Sequence, residues 1–330
     1  MGHAFRSAPL GMAVAAALLA GALGTTALRA QNAPPDQEAM RRQMEERNRV
    51  PNTPGDGPYP AVIEAAPNLP GHVIYRPADL TPFGGGKLPV LAWGNGGCAD
   101  DGTAHRFHLA QIASYGYLVV AAGHWRSGPG AVDGPAPQQP RQEGGGLPPP
   151  ATTSADVAAG IDWALAEDKR EDSQYRGKID RQAIAVAGHS CGGLQAIEIA
   201  ADPRVRTVLI HNSGIYNNQN SPIRGLTVSK DMLEKFHQPV LYVLGGPEDI
   251  AYPNGTDDFQ RVNGVPIVLA DLPVGHGGTF GEPMGGAVAH VAVDWLEWQL
   301  KGDKVAARTF LGENCRLCTG TDWKIERKGF

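Results

Sequence analysis

"AVAGHSCGGLQAIEIA", residues 185–200, decides the fold. Its left side is a short apolar run of strand length, its right side repeats apolar residues with a helical period, and between them Gly188, His189, Ser190, Cys191 and Gly192 form a knot of mostly small residues. The reading is a strand that turns sharply into a helix and presents Ser190 at the turn. Gly188 and Gly192 then stand where the tight turn leaves no room for β-carbons against the neighbouring strand and helix.

Working outward, apolar runs alternate with helical patterns. "HVIYRP", "LPVLAWGNGG", "YLVVAAGH", "AIAVAGHS", "VRTVLIHNSG", "PVLYVLGG" and "VPIVLADLP" have strand length, and several are continuously apolar, as buried parallel strands are. Helices fit between them: "HRFHLAQIASYG", "TSADVAAGIDWALAEDK" with a Ser154 or Thr153 cap, "CGGLQAIEIAAD" after the serine, and "GGAVAHVAVDWLEWQLKG" near the end. The expected class is α/β, with a mostly parallel central sheet and helices on both faces. The stretch 126–150, "RSGPGAVDGPAPQQPRQEGGGLPPP", is too rich in Pro and Gly for a packed element and reads as an insertion in a binding loop after a strand.

The ends and the composition set the context. Residues 1–30, with "PLGMAVAAALLAGALG" followed by "ALRA", read as a cleavable secretory signal, which predicts a periplasmic or secreted protein with no stable membrane span after processing. Residues 31–58 include the charged "DQEAMRRQMEERNR" and read as a solvated arm; residues 59–330 read as one domain. A net charge of −5 offers no basic face for nucleic acid. Four cysteines in an exported chain are expected to pair.

A serine hydroxyl becomes a good nucleophile when a base takes its proton and a third group fixes that base's tautomer. On this kind of sheet the partners follow the serine in the order acid, then histidine. His211 ends a strand, His237 precedes Pro239 and His290 lies in a helical pattern, whereas His276 sits in the glycine-rich "LPVGHGGTF" between the last apolar strand and the last helix. His276 is therefore the expected base. Asp249, just past the strand in "VLYVLGGPEDIAY", is the expected acid, with Glu248, Asp257 and Asp258 as rivals. Donors for a developing oxyanion are expected from the Cys191 amide and from the Gly97 amide in "LAWGNGGCAD", where asparagine, Asn95, stands in a position commonly held by histidine. Asn95, His124 and Trp125 are candidate pocket residues; packing beneath the long loop is the other reading of His124 and Trp125.

"GGGK" at 84–87 lacks phosphate-loop spacing, His105 and His108 near Asp100 and Asp101 read as a helix face rather than a metal site, and "CRLC" at 315–318 has no second pair for zinc. These residues therefore offer no metal site.

The set "WGNGGC", "GHSCGG", "LGGPEDIAY" and "VGHGG", in this order, resembles α/β-hydrolase serine esterases, among them dienelactone-hydrolase-like and cutinase or polyester-hydrolase-like secreted enzymes, over residues 60–302. The resemblance implies cleavage of a small-molecule or polymeric ester through an acyl-enzyme, without metal or organic cofactor and with Ser190, His276 and Asp249 as the catalytic residues. Two departures stand out: dienelactone hydrolases use a cysteine nucleophile, and the 126–150 insertion is foreign to an open cutinase-like groove. An amidase or peptidase of the same fold, or a non-catalytic binding module, are the alternatives. Two amides serving one oxygen at about 3 Å lie only about 5 Å apart, which could bring Cys98 within bridging range of Cys191 and leave Cys315 to pair with Cys318; the other reading keeps Cys191 as a small buried thiol filling the turn, with Cys98 packed separately.

Overall fold

A computed structural model of the chain describes residues 42, 45–134, 149–218, 223 and 226–330. Residues 1–30, on which the expected secretory signal falls, most of the expected arm before residue 45 and residues 135–148 of the Pro/Gly-rich stretch lie outside the described residues. The chain divides into Met1–Arg47 and Asn48–Phe330. Residues 45–47 of the first unit are helical and exposed. The second unit holds the sheet with its covering helices.

Among the described residues nine strands form one sheet in the order β1-β2-β4-β3-β5-β6-β7-β8-β9. Six of them, β3 (Leu88–Gly94), β4 (Leu118–Ala122), β5 (Ile179–His189), β6 (Val205–His211), β7 (Val240–Leu244) and β8 (Ile267–Asp271), run parallel. The flanking strands β1 (Ala61–Ala65), β2 (His72–Pro77) and β9 (Lys324–Lys328) are antiparallel to their neighbours. The continuous apolar runs follow from burial on both faces, since successive side chains of a strand point to opposite sides. On β3, Val90 and Ala92 join one core layer while Leu91 and Trp93 join the other.

Helices α2 (Ser154–Glu167) and α3 (Cys191–Ile199) cover the first layer through Val157, Ile161, Leu194 and Ile197. Helices α1 (Arg106–Ser114) and α5 (Gly286–Lys301) cover the second through Leu109, Ile112, Val288 and Trp295. Between them in sequence lies α4 (Tyr252–Arg261). Of the two cap candidates for α2, Thr153 is the one used: its hydroxyl accepts from the Asp156 amide while the Asp156 carboxylate accepts from the Thr153 amide.

Residues 48–58, the end of the expected arm, run along α1 without any of them being buried. Arg106 donates to the Val50 carbonyl, the Asp56 amide to Gln111 and the Tyr59 amide, just beyond the segment, to the Ser114 carbonyl; together with α5 and the sheet these contacts leave every residue of α1 buried. Gly57 permits the approach, because a β-carbon there would lie 2.4 Å from the Ser114 carbonyl oxygen.

Under α1 the core is unusually rich in imidazole. His105, His108 and His211 pack on Trp93, and His108 and His211 meet edge to face with ring centroids 5.1 Å apart. Both nitrogens of His108 and of His211 are buried without a hydrogen-bond partner. Burial, with a smaller contribution from the charge His189 could carry, pushes the His108 imidazole down to about 3; burial and the neighbouring imidazoles push His211 well below the ordinary histidine value. Both are neutral in the folded protein at ordinary pH. In the unfolded chain they take up protons near pH 6.5. Below that pH the unfolded state binds more protons than the folded one, so stability falls as the solution is acidified, by up to about 1.4 kcal/mol per pH unit for each imidazole. The expected outcome for His108→Phe is a shallower loss of unfolding free energy between pH 6.5 and pH 4.5, by about one proton's share; chemical denaturation at several pH values measures it, and an unchanged slope contradicts the account.

Candidate active site

Parallel register delivers the site. Gly94 of β3 pairs with Gly188 of β5, His189 with His211 of β6, His211 with Val243 of β7, and Leu244 with Asp271 of β8. The loops leaving these carboxyl ends therefore emerge side by side, carrying Gly97, Ser190, Asn212, Asp249 and His276 in turn. Such strand ends are where open parallel sheets bind ligands.

Ser190 sits at φ 53°, ψ −118° between β5 and α3. This is a costly conformation for a residue with a β-carbon, and it aims the side chain out of both elements. Its Oγ lies 2.9 Å from Nε2 of His276, whose Nδ1 lies 2.6 Å from Oδ1 of Asp249. A carboxylate accepts, so Nδ1 carries the proton and Nε2 faces the serine as the acceptor. Asp249 itself is buried. Burial alone would raise its carboxyl, but hydrogen bonds from His276, the Ala251 amide, Asn212 and the Gly245 amide outweigh burial and hold it below the ordinary aspartate range. The carboxylate thus stays charged beside the imidazole. An assembly of this kind can draw the proton from Ser190 and stabilise the imidazolium that results.

The rivals of Asp249 are occupied elsewhere or turned away. Glu248 is exposed. Asp257 pairs with Arg261 and Lys230. Asp258, fully buried and pushed up to about 6 chiefly by burial, accepts from the Ile215 amide, Lys230 and Tyr242. His237 and His290 are exposed and His211 lies in the core.

Gly97, at φ 64°, belongs to a short turn over Gly96–Cys98 whose Cys98 and Ala99 amides bond back to Asn95 and Gly96. The Gly97 amide takes no part in those bonds. The Cys191 amide heads α3, where no carbonyl of its own helix is within its reach. A disulfide joins Cys98 to Cys191 with Cα atoms 5.2 Å apart, and a second joins Cys315 to Cys318, as expected. The first bridge closes a sequence separation of 93 residues and binds the turn after β3 to the head of α3.

Beside Ser190 opens a cavity of about 50 Å³ lined in part by Leu194, Ser213, Gly214, Tyr216, Ile250 and Asn254. Asn95, His124 and Trp125 are not among its lining residues. Asn95 is fully buried, accepting from the Trp93 indole and donating to the Ala99 and Ala122 carbonyls, and so shapes the turn beneath Gly97. His124 and Arg126 bond Asp100, tying the loop after β3 to the loop after β4. The Trp125 amide donates to Asp133, and its ring lies against Gly130. His124 and Trp125 are both half-buried.

Asn212 went unrecognised in the sequence. Its Nδ2 donates to Oδ2 of Asp249 at 2.9 Å and to the Gly275 carbonyl at 3.1 Å, joining the acid to the loop that carries His276. The signal was its place one residue beyond β6, the strand next to that of Ser190. Among the described residues no group of three or more His, Cys, Asp and Glu side chains is arranged to hold a metal, and no helix is long and apolar enough to cross a membrane. Compared with known proteins, the chain matches no family model and no curated protein.

The long loop closed by the first bridge sets its energetic weight. Replacing Cys98 and Cys191 together by alanine should lower unfolding free energy by about 4–5 kcal/mol on the chain-entropy relation. Guanidinium denaturation measures this, and a loss under about 1 kcal/mol would show that the bridge does not constrain the unfolded chain.

Proposed function

We propose that this protein is a serine hydrolase of the α/β-hydrolase fold, exported to the periplasm or the medium, that cleaves carboxylic esters through an acyl-enzyme. The observation that carries the reading is the unbroken series from Ser190 Oγ through the His276 imidazole to the Asp249 carboxylate, at 2.9 and 2.6 Å. In this reading Ser190 attacks the ester carbonyl as His276 Nε2 takes its proton. The oxyanion is bound by the Gly97 and Cys191 amides, which the Cys98–Cys191 bridge holds in one frame. The imidazolium then protonates the departing alcohol, and a water activated by the same imidazole releases the acid. Asp249 holds the tautomer throughout. Two disulfides among the described residues support an oxidising compartment.

The decisive substitution is Ser190→Ala. The turn tolerates alanine, whose β-carbon occupies the same place, so the circular dichroism spectrum should be unchanged while hydrolysis of p-nitrophenyl butyrate falls by about 10⁴-fold or more. Near-parental activity would place the nucleophile elsewhere. Matching p-nitroanilides should be cleaved far more slowly than the esters by the parent protein; the reverse order would make it an amidase or peptidase.

A further inference from the structure

His189 fills the first variable place of Gly-His-Ser-Cys-Gly, yet the residue is only 9% exposed and does not line the cavity beside Ser190. It reaches the loop after β8 instead. Nε2 of His189 lies 2.8 Å from the main-chain carbonyl oxygen of His276, and the two rings are 5.2 Å apart between centroids. A carbonyl can only accept, so Nε2 carries the hydrogen. Nδ1 of His189 lies 3.2 Å from Nε2 of His105, and with a single N–H on the His189 ring that Nδ1 is the acceptor of the pair. His105 therefore donates through Nε2. Each ring fixes the tautomer of the next, and the series ends on the backbone of the residue that faces Ser190.

The same imidazole has a second contact. A β-carbon on Gly96 would lie 2.5 Å from His189 Nδ1, so the turn that carries Gly97 rests directly on this ring. Phe280 closes the remaining side, edge-on with centroids 4.8 Å apart. One side chain is thus wedged between the loop that supplies the imidazole and the turn that supplies an amide.

The backbone at His276 needs such a hold. The segment Gly275-His276-Gly277-Gly278 has three glycines in four residues, and a chain of this kind loses much conformational freedom when it is ordered. Gly275 is tied by its amide to the Gly245 carbonyl and by its carbonyl to Asn212. At His276 itself the main-chain carbonyl is gripped by His189.

We propose that His189 is a positioning residue, its Nε2–H fixing the height of the His276 imidazole over Ser190 and its Nδ1 edge seating the Gly96-Gly97 turn, with His105 holding it in the required tautomer. The proposal rests on the hydrolase reading for its effect on rate, but not for its effect on the geometry of His276. A displacement of about 1 Å at a catalytic group can cost about 100-fold in rate.

The test uses the full chain and three variants: His189→Phe, which keeps a ring and removes the donor; His189→Gln, whose side-chain amide can return a donor near the place of Nε2; and His105→Phe, which removes only the group fixing the tautomer. Two measurements are made on each, kcat and KM for p-nitrophenyl butyrate and the low-field proton resonance of the His276 Nδ1–H, which needs no turnover. Expected for His189→Phe are a kcat lower by about 10- to 100-fold, a KM within about twofold and a shifted or lost resonance. His189→Gln should recover part of the kcat and bring the resonance back, and His105→Phe should fall between. Should His189→Phe not fold, the other two variants decide alone. Unchanged kcat and an unmoved resonance in the folded variants overturn the proposal. A parent protein without Ser190-dependent hydrolysis, but with a resonance that moves in the His189 variants, overturns the hydrolase reading and leaves the positioning role standing.

Discussion

Everything at the carboxyl edge of the sheet depends on how closely β3, β5 and the head of α3 approach one another. A β-carbon on Gly192 would lie 2.0 Å from the Gly94 carbonyl oxygen, and one on Gly188 would lie 2.2 Å from the Gly192 carbonyl oxygen. Neither contact is possible between real atoms, so the approach exists only because these positions carry hydrogen. With the helix pressed so close to the strands, the link between them is a single residue, and Ser190 has to take a positive φ. The strain at the serine is the direct result of the glycine contact. The same contact sets the turn after β3 against α3, which brings Cys98 and Cys191 within reach of a bridge.

Around this junction the electrostatic design divides in two. On one side the Asp249 carboxylate is buried but saturated, with His276, Asn212 and the amides of Gly245 and Ala251 as donors, so its charge survives where burial alone would neutralise it. On the other side, beneath the serine, His108 and His211 are buried with no hydrogen-bond partner and stay neutral. A negative charge is thus held beside His276, while His108 and His211 against Trp93 contribute bulk and no cation. The cost of these two buried rings falls on stability in acid.

The parts of this arrangement that follow from local chain chemistry were legible in the sequence. A continuous apolar run identifies a strand buried on both faces, and small residues mark a turn with no space, so β2 and the six parallel strands, four of the helices and the turn at Ser190 were readable. The edges were not. "KIERK" of β9 is charged and alternates weakly, because an edge strand in water needs little apolar surface, and "YPNGTDDFQR" of α4 buries little beyond Phe259, Asp258 and Gly255. Ser190, Asp249 and His276, picked out in the sequence by residue type and by their places past strand ends, do come together in the structure. Asn212 and His189 were missed because an amide joining a carboxylate to a loop, or an imidazole bonded to a main-chain carbonyl, is defined by what lies across the fold. Asn95 shows the same limit: a polar side chain after a strand can turn outward or, as here, inward to the carbonyls of Ala99 and Ala122, and only the tertiary structure chooses.

The central claim is that the glycine contact and the Cys98–Cys191 bridge hold two amides in one frame facing the oxygen of Ser190. A crystal structure of the protein after reaction with a small alkyl fluorophosphonate tests it most directly. The account predicts phosphorus bonded to Ser190 Oγ, with the phosphoryl oxygen about 3 Å from both the Gly97 and the Cys191 amide nitrogens. Phosphorus on another residue, or a phosphoryl oxygen in contact with neither amide, would contradict it.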